Sequence, residues 1–374
     1  MPDSLKQFGL RIITGQDHSP FASVMRGMLA IAEPFYSIAM TIRNACYDHG
    51  ILITHDLGRP TISVGNITTG GTGKTPVVQW LADELRRRGH RPAILLRGYA
   101  SAVTGSSDEA QLLDQSLNAE QETAIPVQAN PSRLQGAADV LRDHPQVTHF
   151  ILDDGFQHRR AKRDFNLVLV SATQPFGFDH VLPRGLLREP LSGLGRADAF
   201  LITRCSLATV EALARIESFL AGHHPTTPIF HCDHVQSGLL MPSMGSTIPM
   251  ESLAGQKVFV VAGIGDPTAL ERQIAMSGCQ IVGTKWFPDH HAFTSVEVNS
   301  ILEEAKLKGA ALLLTTEKDW VKMKGYTVSE AVPAIGVLKL QIEFRPGDAR
   351  RLLTLALSRT TAPDAPPAAT HPPA

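Results

Sequence analysis

The sequence predicts an α/β fold: a mostly parallel sheet with helices on both faces. Three observations lead there. The segment "SVGNITTGGTGKTPVVQWL" (Ser63–Leu81) reads as strand, glycine-rich loop and helix in succession. Apolar runs recur along the chain with helical stretches between them, the pattern of parallel strands joined by crossover helices. A second strand–loop–helix series starts at "KVFVVAGIGDP" and predicts a further, smaller α/β domain.

Taken in order, Thr61–Val64 is a strand and Thr75–Arg88 a helix. Val77, Val78, Leu81, Ala82 and Leu85 fall at helical spacing, and Gly89 ends the helix. "PAILLRGYA", "VTHFILDDG", "FNLVLVSA" and "DAFLITR" are the next buried strands. "IFHCDHVQSGLLMP" is extended chain. Next come "KVFVVAGIGDP", "QIVGTKWFPDHH", a helix over Ser295–Lys308 and "ALLLTTEKDWVK". "IGVLKLQIEFR" is extended again, and Asp348–Ser358 is a helix returning to the first domain. The expected organisation is a helical segment over 1–50 and a first α/β domain over 51–237. A smaller one follows over 238–334, then a return linker and helix over 335–360. A Pro/Ala-rich tail over 361–374 is expected to be disordered.

Composition narrows the function. The 374 residues exceed one minimal domain, and 43% hydrophobic content supports a sizeable core. The formal net charge of -1 lacks the basic footprint of a nucleic-acid binder. Cys46, Cys205, Cys232 and Cys279 are scattered, so neither a disulfide framework nor a zinc site is expected, and a reducing compartment is the default. No signal peptide stands at the N-terminus. The apolar stretch "FASVMRGMLAIAEPFYSIAMTI" (Phe21–Ile42) carries only Arg26 and Glu33 as charges and is interrupted by Pro34. It is too broken to span a bilayer. Two readings stand: a helix buried on the core, or one lying in a membrane surface.

The chemistry concentrates in a few motifs. A strand entering a glycine-rich turn that opens a helix aims backbone N–H groups at an anion. The loop Thr68, Thr69, Gly70, Gly71, Thr72, Gly73, Lys74 and Thr75 therefore predicts a nucleotide site of P-loop NTPase-like type. Lys74 reaches the terminal phosphates and the Thr75 hydroxyl binds Mg²⁺. Thr68 stands where the usual pattern has glycine. "ILDDGFQHRR" ends an apolar strand in Asp153 and Asp154, carboxylates suited to hold Mg²⁺ beside such a loop. "HRRAKRD" adds four cations, which either form a solvated face or meet phosphate groups. Asp108 and Glu109 precede a helical stretch, as catalytic groups or as ordinary caps. "WFPDHHAF" sets His290 and His291 after a strand, where one could orient a general base. "GIGDP" and "TTEKDWVK" read as turn and packing features.

Together these pieces resemble the tetraacyldisaccharide 4'-kinase family, the lipid A 4'-kinases of Gram-negative bacteria. The resemblance rests on "SVGNITTGGTGKTP", "LLRGYA", "DEAQLL", "ILDDGFQHR", "LPRGLLREPLSGLGRADAFLITR", "AGIGDP", "FPDHHAF" and "TTEKDWVK", in that order from Thr61 to Lys322. In this family the position of Thr68 typically lacks glycine. The resemblance implies transfer of the ATP γ-phosphate to the 4'-hydroxyl of tetraacyldisaccharide 1-phosphate, with Mg²⁺, in a cleft between two α/β domains. It also implies an N-terminal interfacial helix on the cytoplasmic face of the inner membrane, which favours that reading of Phe21–Ile42. The implied roles are Asp108 as base, paired with His290, and Lys74 neutralising the transferred group. Thr75, Asp153 and Glu109 serve the metal, Asp154 is the fallback base, and Arg159 with its neighbours is a candidate for the substrate's 1-phosphate. The sequence identifies no protein partner. The rival readings are a P-loop ATPase or switch protein, and a kinase of a soluble metabolite.

Overall fold

The structure, a computed structural model, describes residues 9, 11–69, 71–98, 108–118, 123–264, 267–288, 291–326 and 333–360, with Asp108 and Ala269 described in backbone only. The chain opens with a long helix, α1 (Pro20–Asp48), capped by the Ser19 hydroxyl, which accepts from the Ala22 N–H. Contrary to the interruption expected at Pro34, α1 runs through it. A proline forfeits one helical hydrogen bond, and here 29 continuous residues docked along one face retain the helix.

The first half of the sheet follows the expected alternation. It comprises β1 (Thr61–Asn66), α2 (Lys74–Arg87), β2 (Pro92–Leu96), α3 (Asp108–Asn118), β3 (Val127–Ala129), α4 (Arg133–Asp143), β4 (His149–Asp153), β5 (Phe165–Ser171), β6 (Ala199–Thr203) and α5 (Val210–His223). The long strand β7 (Ile229–Met241) then leads to β8 (Ser246–Ile248), β9 (Lys257–Gly263), α6 (Pro267–Ala275), β10 (Gln280–Phe287), α7 (Ser295–Leu307), β11 (Leu312–Thr316) and α8 (Glu317–Met323). The equally extended β12 (Ala334–Phe344) returns to α9 (Asp348–Thr360).

The strands run in the order β10-β9-β11-β12-β7-β6-β5-β1-β4-β2-β3, with β8 beside β7. Pairing is parallel except where β7 meets β12 and β8. The two segments read as extended chain are thus a paired antiparallel ribbon, whose register shifts between Lys339 and Leu340.

Burial follows the sequence pattern. All six residues of β1 are buried, as are Val77, Val78, Leu81, Ala82 and Leu85 of α2. Their cluster includes Leu352, Leu353 and Ala356 of α9, so the last helix packs on the first half of the sheet. Sequence reasoning did not assign α4 or α5. Both carry an apolar face at helical spacing: Leu134, Ala137, Val140 and Leu141 in α4, and Leu213, Ile216, Phe219 and Leu220 in α5, so the signal was present in the sequence. Leu353→Ala should destabilise the protein by about 2–5 kcal/mol, the usual cost of a leucine cavity. Urea unfolding measures it, and a change under about 1 kcal/mol would show that α9 does not depend on this contact.

Candidate active site

The site forms where β1 and β4 end side by side. Val64 pairs with Asp153, so the phosphate loop and the two carboxylates leave the sheet at the same level. Gly65 permits the close approach of the following turn: a Cβ there would lie 2.7 Å from the Phe156 backbone nitrogen. Gly73 takes a left-handed conformation (φ 77°) and opens α2 without a side-chain cap. The first N–H groups of α2 are thus left for an anion.

A cleft of about 600 Å³ lies over this point, lined by Gly71, Thr72, Gly73, Lys74, Thr75, Glu109, Asp153 and Asp154, among others. Thr68 and Thr69 do not line it. Thr68 is buried, and its hydroxyl and carbonyl accept from the Asn66 side-chain amide at 3.1 and 2.9 Å. The Thr69 N–H donates to the Leu186 carbonyl at 2.7 Å. A hydroxyl at position 68 therefore serves the loop's own framework. Gly70 and His290 lie outside the described residues, as does the Asp108 side chain at the start of α3. His291 is engaged elsewhere, stacked on Phe287 and 3.2 Å from Glu297.

The charges are paired closely. Lys74 Nζ donates to Asn66 Oδ1 at 2.9 Å and stands 3.2 Å from Asp154 Oδ1. Arg188 Nη1 donates to the other Asp154 oxygen at 2.7 Å. Burial opposes ionisation of Asp154, but Lys74 and Arg188 outweigh it and hold its pKa below the usual carboxylate value. Asp153 is the opposite case. Burial pushes its pKa up to about 7, Lys74 pulls against that, and Glu109 and Asp154 add to it. Its Oδ1 is buried without a hydrogen-bond partner.

An orphaned carboxylate oxygen, with Thr75 and Glu109 lining the same cleft, suits a hard divalent cation. Among the described residues no group of three or more His, Cys, Asp or Glu could hold a metal alone, so such an ion would share its shell with phosphate oxygens.

Several residues that sequence reasoning passed over support this centre. His234 of β7 packs on the phosphate loop, with Nε2 3.3 Å from the Gly73 carbonyl oxygen. Burial lowers its pKa to about 4, so it is neutral and can donate that contact. Arg188 and Gln157 lie inside recognised motifs, in "LLRE" and "FQHR", and that placement was the available signal. Asp319 of "TTEKDWVK" accepts from the Gly263 N–H of "AGIGDP" at 2.9 Å, the turn role expected for both. The cations of "HRRAKRD" divide: Arg159 bonds Asp48 and the Asn44 carbonyl of α1, and Lys162 bonds Asp56.

Comparison with known proteins decides the family. The family model for Tetraacyldisaccharide-1-P 4'-kinase matches residues 25–358. The chain belongs to this family. Similar relatives include a tetraacyldisaccharide 4'-kinase of Geobacter metallireducens, 37% identical over 309 residues that cover 79% of this chain and 88% of the relative. Another, from Anaeromyxobacter dehalogenans, is 32% identical over 339 residues, covering 88% of this chain and 89% of the relative. Among solved structures, a kinase of this family from Aquifex aeolicus in complex with ATP aligns with a TM-score of 0.68 and 28% identity. It covers 90% of this chain and all of that one. This chain is therefore a kinase of the P-loop type.

Two outcomes follow from the geometry. Gly73→Ala would set a Cβ 2.1 Å from His234 Nε2 at a left-handed φ, and nucleotide affinity measured by calorimetry should fall at least tenfold; unchanged affinity would mean the loop tolerates the shift. The folded pKa of Asp153 lies above that of an unfolded aspartate. Its contribution to stability is complete below about pH 4 and is lost as pH rises through about 7. Asp153→Asn should therefore gain on the parent between pH 4 and 8 by up to about 4 kcal/mol in metal-free urea unfolding. A pH-independent difference would contradict the burial of this charge.

Proposed function

We propose that the protein transfers the γ-phosphate of ATP to the 4'-hydroxyl of tetraacyldisaccharide 1-phosphate, at the cytoplasmic face of an inner membrane. The observation that carries this reading is the convergence of Lys74 with the strand-end pair Asp153–Asp154 in one cleft of a chain of this family.

Phosphoryl transfer needs alignment and charge stabilisation more than covalent chemistry. The N–H groups of Gly71–Thr75 cradle the phosphates, and Lys74 neutralises charge on the transferred group. Thr75 and Asp153, with Glu109, would hold Mg²⁺, which when bound supplies further charge neutralisation between phosphate oxygens. Two cations keep Asp154 ionised, which favours an anchoring role for it over that of base. Asp108, with His290 from the 238–334 domain, remains the proposed base for the sugar hydroxyl, so that closure of that domain on the 51–237 domain assembles the site.

Helix α1 supplies the membrane contact in this reading. Phe21, Val24, Met28, Ile31, Phe35, Ile38 and Ile42 are all more than half exposed, spaced alternately by three and four residues along one face. No helix among the described residues is long and apolar enough to cross a membrane. An exposed stripe of this kind suits insertion to headgroup depth, where the acyl chains of the substrate stay in lipid and its sugar meets the cleft.

Purified protein incubated with γ-labelled ATP, Mg²⁺ and tetraacyldisaccharide 1-phosphate in mixed micelles should label the lipid. Lack of lipid label from folded protein would refute the assignment. Lys74→Ala should lower kcat by on the order of a hundredfold or more, with smaller changes in either KM. The double change Phe35→Ser and Ile38→Ser should reduce co-sedimentation with anionic vesicles by on the order of tenfold. Undiminished sedimentation would remove the stripe from the membrane contact.

A further inference from the structure

The inner face of α1 is tied to the phosphotransfer centre by a continuous chain of polar groups, most of them partly buried, built around the buried Glu189. Asn44 Nδ2 donates to Glu189 Oε2 at 2.8 Å. Glu189 is 1% exposed, and Arg196 Nη2 donates to both its oxygens at 2.9 and 2.7 Å. Gln157 Nε2 donates to Glu189 Oε1 at 3.0 Å and to the Asn66 carbonyl at 2.9 Å. Gln157 Oε1 accepts from Arg188 Nη1 at 3.2 Å, and that same nitrogen donates to Asp154. Both arms end on Lys74, one through Asp154 and one through the Asn66 side chain. Two further contacts fix the backbone of this chain from α1: the Tyr36 hydroxyl donates to the Arg188 carbonyl at 2.8 Å, and Arg43 Nη2 donates to the Gln157 carbonyl at 3.0 Å.

We propose that α1 is a positioning element of the phosphotransfer centre as well as its membrane contact: Asn44 and Tyr36 hold the Glu189–Gln157–Arg188 cluster in the arrangement that aims Lys74 at the nucleotide. The inference rests on the kinase reading above. The physical argument is one of satisfaction. A buried carboxylate keeps a defined position only while each oxygen is bonded, and removing one donor costs far more than the bond is worth in water. Without Asn44, Glu189 Oε2 keeps Arg196 as its one donor among the described residues. The carboxylate is then free to rotate toward that guanidinium, which loosens Gln157. Gln157 holds both Arg188 and the Asn66 backbone, so the loosening reaches the two partners of Lys74 together. Asn44 and Tyr36 lie outside the exposed apolar stripe, so their removal leaves the lipid-facing surface as it was.

The test compares the parent with Asn44→Ala, Tyr36→Phe, Gln157→Ala and the double Asn44→Ala/Gln157→Ala, in mixed micelles at saturating ATP and lipid. The expected result is a kcat lowered on the order of tenfold in Asn44→Ala, and less in Tyr36→Phe, with KM for ATP within about twofold and vesicle co-sedimentation unchanged. The double variant should be no slower than Gln157→Ala, because both changes act on one chain of contacts. Parental kcat in both Asn44→Ala and Tyr36→Phe overturns the proposal, as does a double variant whose loss is the product of the single losses. Tyr36→Phe removes one hydroxyl only, so it reads the proposal even if Asn44→Ala fails to fold. An inactive parent would instead count against the kinase reading, which separates the two failures.

Discussion

Asp154 joins three separate parts of the chain through its two oxygens. One meets Lys74 at the mouth of the phosphate loop, and the other meets Arg188 of the segment that crosses that loop. The residue itself sits at the end of β4 in a left-handed conformation (φ 52°), which turns the chain sharply after Asp153. Neighbouring carboxylates thus acquire opposite characters. Asp154 is held ionised by two cations, while Asp153 is pushed toward neutrality by burial and keeps an unpartnered oxygen. One is suited to anchor cations and the other to receive one.

The sheet makes this arrangement possible. Parallel pairing of β1 with β4 brings loop and carboxylates to the same carboxyl end of the sheet. The antiparallel ribbon of β7 and β12 carries the chain away to β9–β11 and back, and its His234 presses on Gly73 as it leaves. The same ribbon links the phosphate loop to α6: Gln273 Nε2 donates to the His234 carbonyl at 3.0 Å. Helix α1 completes the assembly from the other side. Its outward face is an apolar stripe, and its inward face bonds Glu189, Arg188 and Gln157.

The parts of this design that repeat with a period or form a dense local motif were legible in the sequence. The helix after Gly73 could be read from Val77, Val78, Leu81, Ala82 and Leu85, and the loop from Gly-Lys-Thr. The carboxylate pair could be read because it ends an apolar strand. What escaped depends on contacts between distant residues. Nothing local distinguishes Asn44 from any helical asparagine, yet it bonds a carboxylate 145 positions away. Arg159 had equal claims as a solvated cation and a phosphate ligand, and the fold commits it to Asp48. Thr68 could be recognised as an exception to the general loop pattern but not explained, because the amide it bonds only matters once Asn66 also holds Lys74.

In the proposed mechanism Asp154 acts by holding Lys74 and Arg188 in place. The direct measurement is the separation of ATP affinity from turnover in Asp154→Asn, by calorimetry and single-turnover kinetics on the same preparation. The expected result is a dissociation constant for ATP within about threefold of the parent and a phosphotransfer rate lowered on the order of a hundredfold or more, since the freed cations still attract phosphate but are no longer aligned. Weakened ATP binding with an unaltered phosphotransfer rate would contradict it.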